Sequence, residues 1–210
     1  MNRILDKIII EIDKGIKFST LNTINHERAY PAEDIEEYEL SEVEKNHSAG
    51  LMRVNHSGEV CAQALYRGQG LTADLKKTSK QMQKAAEEEL DHMSWCNKRL
   101  SELNENTSIL NPIWYMMSFS LGTLAGLAGD KWSLGFINET EKQVVNHLDK
   151  HKESISTRDK RSKAIIEKMR EEEKAHSIEA KKAGAEELPE EIKKGMTLLA
   201  RIMTNTSYHL

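Results

Sequence analysis

The 210-residue chain is poor in the residues that build β-rich and extracellular proteins. It has three Pro, two Cys and, among aromatics, only three Phe, three Trp and five Tyr. So few turn formers and aromatics exclude a sandwich or barrel of many short strands. Cys61 and Cys96 can form one bridge at most, so no disulfide framework sustains the fold. Each is most simply a small buried apolar residue. The chain opens without a secretory-signal pattern, and a reducing setting on the cytoplasmic side is expected. No uninterrupted run of about 20 strongly apolar residues is available for a bilayer crossing. Lys and Arg (30) do not exceed Asp and Glu (34), and a formal charge of -4 provides no basic field to hold nucleic acid. A Gly-rich signature for a nicotinamide or flavin site is also missing.

What remains is helix-forming. Ala, Leu, Glu, Lys and Met abound, 38% of side chains are hydrophobic and 30% charged, enough for one sizeable core. Ile4, Ile8, Ile12 and Ile16 recur at four-residue steps and predict an amphipathic N-terminal helix. From Asn22 to Asn46 the apolar pattern fails, Pro31 interrupts, and acidic residues crowd the stretch, which reads as a linker or loosely docked arm. The boundary falls near Ser48, dividing residues 1–47 from a domain of residues 48–210. Helical patterns then cover 51–66, 72 or 74 to about 103, 135–151 and 161–184, with a shorter apolar one over 192–203. Gly68 and Gly70 read as stop signals for the first, Gly184 and Pro189 for the fourth. The expected fold class is all-α, an antiparallel four-helix bundle with additional short apolar helices.

Between Glu105 and Asp130 no side chain is charged. Trp114, Tyr115, Met116, Met117, Phe119, Leu121, Leu124 and Leu127 carry the bulk of this segment. One reading is a buried connection across the bundle. The other, favoured because the chain is so polar elsewhere, is an apolar surface resting in a membrane, with Trp114 and Tyr115 at headgroup level.

The chemistry lies in Glu-x-x-His, which occurs at Glu44/His47, Glu89/His92 and Glu173/His176. Chance supplies about one such pair in a chain of this composition. The Glu44 copy, in the polar arm, is assigned to chance. The other two lie in long amphipathic patterns, and each has a solitary Glu upstream: Glu59 precedes Glu89 by 30 residues, and Glu141 precedes Glu173 by 32. Two antiparallel helices bring such residues level only if the turn lies at the midpoint, because both limbs climb about 1.5 Å per residue. The midpoints, Asp74 and Thr157, fall in turns inferred independently. Residues three apart share a helix face, so each Glu-x-x-His can aim at one point. Exposed Glu and His are ordinary singly, but the joint pattern is rare. One Glu from each of two helices plus Glu-x-x-His from each of two others makes a known dimetal site. Four carboxylates balance two divalent ions, and mixed carboxylate and imidazole donors favour iron or manganese, with iron preferred.

The segments RVNHSGE (residues 53–59), EEELDH, ETEKQV (residues 139–144) and EEEKAH, in this order, resemble the demethoxyubiquinone hydroxylase family of di-iron monooxygenases. The resemblance covers roughly residues 48–210, and the arm is similar to that of longer bacterial members. It implies a ferritin-like bundle and hydroxylation of a polyprenyl benzoquinol ring with dioxygen and two electrons. It also implies two Fe ions held by Glu59, Glu89, His92, Glu141, Glu173 and His176, with Glu89 and Glu173 bridging. Glu139 competes with Glu141; the spacing from Glu141 to His147 resembles the family's and favours Glu141. His147 and His56 are candidates for orienting carboxylates, or are plain exposed or core histidines. Leu148 stands where some relatives carry Tyr, which argues against a hydroxyl relay there. Tyr66, two turns beyond Glu59, reads as core packing before channel lining. Electrons would come from an external reductant or the quinol itself. A membrane-resident substrate implies a peripheral position on the cytoplasmic face of the bacterial inner membrane, alone, as a homo-oligomer or in a biosynthetic complex. The rival readings are a ferritin-like iron-storage or peroxide-reducing protein and a metal-free helical scaffold.

Overall fold

A computed structural model describes residues 28–73 and 76–210, with Asp6, Ile9, Ile10, Asp13 and Lys17 as isolated positions before them. The predicted stripe of Ile4, Ile8, Ile12 and Ile16 and the midpoint residue Asp74 lie outside the described residues. Six helices follow one another: α1 (Glu42–Thr72), α2 (Lys76–Glu102), α3 (Asn111–Leu127), α4 (Asp130–Ser154), α5 (Lys160–Lys182) and α6 (Glu190–His209). No strand occurs among the described residues, so the all-α bundle expected from composition is the fold.

The helix ends follow from local chemistry. Ser41 caps α1 in a capping box, its hydroxyl accepting from Glu44 N while Glu44 Oε2 accepts from Ser41 N at 2.9 Å. The Glu44/His47 pair therefore has a structural use: Glu44 starts the helix, and His47 Nδ1 meets the Tyr208 hydroxyl of α6 at 2.7 Å. Asp159 caps α5 by accepting from Ser162 N at 3.0 Å. Gly184, at φ 102°, ends that helix in the left-handed region, as its position suggested.

Gly68 does not stop α1, which runs on to Thr72. Its function is close approach. A Cβ at Gly68 would lie 2.3 Å from Phe119 O, and one at Gly122 would lie 2.2 Å from Leu65 O. Both glycines let α3 cross directly on the α1 backbone. This crossing resolves the uncharged segment into two faces. Trp114, Tyr115, Phe119, Ala125 and Gly126 are buried, while Ile113, Met116, Met117, Leu121, Leu124 and Leu127 are exposed. Trp114 and Tyr115 thus do not stand at a headgroup surface: they fill the seam, and Trp114 Nε1 donates to Ser207 Oγ at 3.2 Å.

The core is layered. At one end Leu51, Met52, Trp95, Leu100, Leu148, Ile165 and Met169 pack together. At the other, Ala62, Tyr66, Met82, Leu134, Ile137 and Ala180 do so. Both clusters draw on α1, α2, α4 and α5, and the residues between them in sequence on those helices are Glu59, Glu89, His92, Glu141, Glu173 and His176. A polar layer thus lies between two apolar ones. The arm is no loose linker over its described part. Tyr30 and Ala32 are buried in the first cluster, Lys98 pairs with Glu33 at 2.5 Å, and Arg99 donates to Glu37 at 3.0 Å.

Candidate metal centre

Helix α1 contributes Glu59, α2 Glu89 and His92, α4 Glu141, and α5 Glu173 and His176. Oxygen and nitrogen atoms of Glu59, Glu89, His92 and Glu173 lie within 4.8 Å of one another, and so do those of Glu89, Glu141, Glu173 and His176. The two groups share Glu89 and Glu173. All six residues singled out from the sequence are therefore brought together, in two overlapping clusters joined by two carboxylates. Glu139 is not among them; its Oε1 accepts from Gln143 Nε2 one turn along α4.

His92 Nδ1 faces the shared acids, 2.8 Å from Glu173 Oε1 and 3.2 Å from Glu89 Oε2. His176 Nδ1 lies 3.2 Å from Glu173 Oε2. The opposite nitrogens are held by residues the sequence reading missed. His92 Nε2 donates to Glu172 Oε2 at 2.7 Å, and His176 Nε2 donates to Glu88 Oε2 at 2.9 Å. The holds are crossed: the Glu preceding each shared carboxylate grips the imidazole of the opposite helix. The available signal was the doubled acid before each ligand position in EEELDH and EEEKAH. A carboxylate behind the distal nitrogen fixes the ring and makes the proximal nitrogen more basic, as metal-binding histidines require.

The electrostatics show a site short of positive charge. Burial raises the Glu59 and Glu141 carboxyls well above the usual range, with the neighbouring carboxylates adding to it. Burial opposes protonation of His176, but Glu173 and Glu88 outweigh it and lift its pKa to about 10. His92 is raised in the same way by Glu172 and Glu173 against its burial. Neither oxygen of Glu141, nor Oε1 of Glu89, has a hydrogen-bond partner among the described residues. Buried carboxylate oxygens without donors are costly unless a cation meets them. The donor set of four carboxylates and two imidazoles fits a pair of divalent ions.

A cavity of about 420 Å³ reaches Glu59 from the side of α3, α4 and α6. Leu65, Trp114, Met117, Leu121, Phe136 and Leu199 give it apolar walls, and Asn55, Thr140, Gln143 and His147 supply polar groups. His147 thus lines the cavity and carries no ligand carboxylate. Its ring is tilted by 58° against that of His151, with centroids 3.8 Å apart, and its Nε2 has no partner among the described residues. His56 accepts from Asn111 Nδ2 at 3.1 Å, in the seam of α1 and α3. Tyr66 is fully buried in the second core cluster, away from this cavity. Both cysteines are free, Cys96 in the core and Cys61 on the cavity wall.

A helical bundle that places four carboxylates and two imidazoles between two apolar layers defines the class: a ferritin-like protein with a buried cluster that could hold metal. A family model described as "Ubiquinone biosynthesis protein COQ7" matches residues 46–207, and the chain belongs to that family. It is 49% identical over 207 residues to the 3-demethoxyubiquinol 3-hydroxylase of Chromobacterium violaceum, covering 98% of this chain and 100% of the relative. The proteins of the same name from Acinetobacter baumannii and Legionella pneumophila are each 50% identical, over 98% of this chain and 97% of theirs.

Proposed function

We infer that this chain is a 3-demethoxyubiquinol 3-hydroxylase that binds two iron ions through Glu59, Glu89, His92, Glu141, Glu173 and His176. The observation that carries the reading is the pair of clusters sharing Glu89 and Glu173, joined to an apolar cavity at Glu59. When bound, a pair of iron ions supplies the redox change and the activation of dioxygen. One oxygen atom enters the quinol ring as a hydroxyl, and the other leaves as water with two protons and two electrons. Those electrons come from an external reductant or from the quinol.

The chain's own part is position, charge and water exclusion. Glu89 and Glu173, which belong to both donor clusters, would hold both ions, and Glu59 and Glu141 would each complete the charge balance of one. The quinol ring occupies the cavity with its reactive edge towards Glu59. Burial holds the His147 pKa at about 4, so its neutral imidazole can exchange a hydrogen bond with a ring hydroxyl. A polyprenyl tail leaves between α3 and α6, where Met117, Leu121 and Leu199 are partly exposed. Exposed Leu124, Leu127, Leu198 and Ile202 extend that apolar rim. No described helix is long and apolar enough to cross a membrane. The rim supports peripheral contact with a membrane, which in this proposal is the cytoplasmic face of the inner membrane. In this proposal residues 1–47 form an arm and residues 48–210 the hydroxylase domain.

An iron store or peroxidase has no use for an apolar cavity of this size beside the ions. The test is anaerobic incubation of the iron-loaded protein with a demethoxyquinol analogue, then exposure to dioxygen. A product heavier by one oxygen atom is expected. Iron oxidation without that product, or a folded wild-type protein that binds no iron, would overturn the reading.

A further inference from the structure

Arg28 stands in the arm, ahead of α1 and outside the residues matched by the family model. Its Nη1 donates to both oxygens of Glu172, at 2.8 and 2.9 Å. Its Nε donates to Asp91 Oδ2 at 2.5 Å, and its guanidinium lies 4.8 Å over the Trp95 ring. Glu172 is the carboxylate that holds His92 Nε2 at 2.7 Å. A continuous line of charge-assisted contacts thus runs from the arm through Glu172 to an imidazole of the metal centre.

The other imidazole is held differently. Its carboxylate, Glu88, is paired at 3.0 Å with Lys84, one turn back on the same helix, and Lys84 is 72% exposed. Such a pair is screened and mobile. Arg28 is planar and braced on an indole ring, and it bridges two acids from different helices. The two halves of the centre therefore differ in their outer support, although their inner residues match.

We propose that Arg28 is a positioning residue for the ion held by Glu59, Glu89, His92 and Glu173, acting through Glu172 on His92. The proposal rests on the dimetal reading above. Pinning Glu172 keeps its oxygen behind His92 Nε2, which holds the ring plane and directs Nδ1 at the ion position. Without Arg28, the Glu172 carboxylate regains rotamers and turns towards solvent and Lys168, which it also meets at 3.0 Å. His92 then loses both orientation and basicity. The His176 half does not sense the change. Docking of the arm is thereby coupled to one ion and not to its neighbour.

The test is a cobalt(II) titration of the metal-free full-length protein, followed by visible absorption. Wild type takes up two ions per chain. Arg28→Gln binds one of them about tenfold more weakly, with its absorption band altered, and leaves the other unchanged. Arg28→Lys recovers part of the loss. Glu172→Gln loses as much or more, and adding Arg28→Gln to it brings no further loss. Lys98→Ala loosens the same arm at Glu33 without touching Glu172, and titrates as wild type. An unchanged titration in Arg28→Gln, or an equal loss in Lys98→Ala, would overturn the proposal while the dimetal reading stands. A wild type that binds fewer than two ions would remove that reading first.

Discussion

His92 on α2 and Glu173 on α5 meet at 2.8 Å across the centre of the bundle. The contact joins one helix of each antiparallel pair, so groups of the two donor clusters also tie the two halves of the fold together. Glu89 and Glu173 each belong to both donor clusters, whereas Glu59 and Glu141 each belong to one. Glu89→Ala and Glu173→Ala are expected to lose both ions, and Glu59→Ala and Glu141→Ala mainly one. Metal content after dialysis measures this, with circular dichroism confirming retained helix. Equal loss in all four variants would mean that no carboxylate is shared.

The convergence of the six residues was legible because helix geometry is rigid: equal rise on two limbs turns a sequence interval into a height. Asp74 and Thr157 follow from that arithmetic, and helix α1 ends one residue before 73 while α5 starts at Lys160. The partners of Glu88 and Glu172 were not legible, although the doubled acids themselves were visible. Their contacts cross to the opposite pair of helices, and periodicity along one helix says nothing about which neighbour a flanking acid will reach. Gly68 was misread for a related reason. Its role is set by the Phe119 carbonyl, 51 residues on, and not by its local conformation. Trp114 and Tyr115 looked interfacial by type, but burial in the seam is decided by how closely those glycines let α3 approach.

That close approach gives a paired test. Gly68→Ala places a Cβ 2.3 Å from the Phe119 carbonyl oxygen, and backbone cannot swing aside as a side chain can. The helices must separate, at a cost of about 1–3 kcal/mol. Gly195, inside α6, has nothing within 4 Å of the Cβ it lacks. Gly195→Ala is expected to stabilise by about 0.5–1 kcal/mol through the lower entropy of the unfolded chain. Denaturant midpoints compare the two. A destabilising Gly195→Ala or a neutral Gly68→Ala would contradict the packing.

Arg99 supplies the counterpart at the far end of the bundle. Its side chain is fully buried, and it donates to Asp159 at 2.9 Å, Ser162 at 2.8 Å, Glu102 at 3.0 Å and Glu37 of the arm. Asp159 is at once this ion's partner and the cap of α5. Arg99→Ala leaves that acid buried without a cation, and about 3–5 kcal/mol of stability should be lost. Lys193→Ala removes two surface pairs, with Glu187 and Glu190, and should not move the unfolding midpoint measurably. Urea titration of both variants is the check.

Leu124 and Leu127 on α3 are 63% and 69% exposed, facing away from the seam that buries Trp114 and Phe119. If the apolar rim meets a bilayer, these are the residues that enter it. Leu124→Glu with Leu127→Glu should abolish flotation with liposomes while leaving the fold intact. Retained flotation would remove α3 from the membrane contact.

The buried histidines His56 and His151, outside the two donor clusters, contribute to the acid sensitivity of the fold. Burial holds His56 at about 4, and burial with His147 and His47 nearby holds His151 at about 3, against an ordinary value near 6.5. His56 accepts from Asn111, and His151 Nδ1 donates to Asn55 at 2.8 Å, so both are bound as neutral rings. Their folded pKa values lie below the unfolded ones. The stability they contribute is therefore complete above pH 6.5 and drains away as pH falls through about 4 and then 3, because the unfolded chain takes up protons that the native state refuses. Each histidine adds at most one proton to the slope, about 1.4 kcal/mol per pH unit. His56→Gln and His151→Gln are expected to unfold along shallower curves than wild type between pH 6.5 and 4, whatever their stability at pH 7. Since ion loss in acid is common to all three proteins, the difference in slope isolates the histidine. Parallel curves would mean that these rings are protonated in the folded protein.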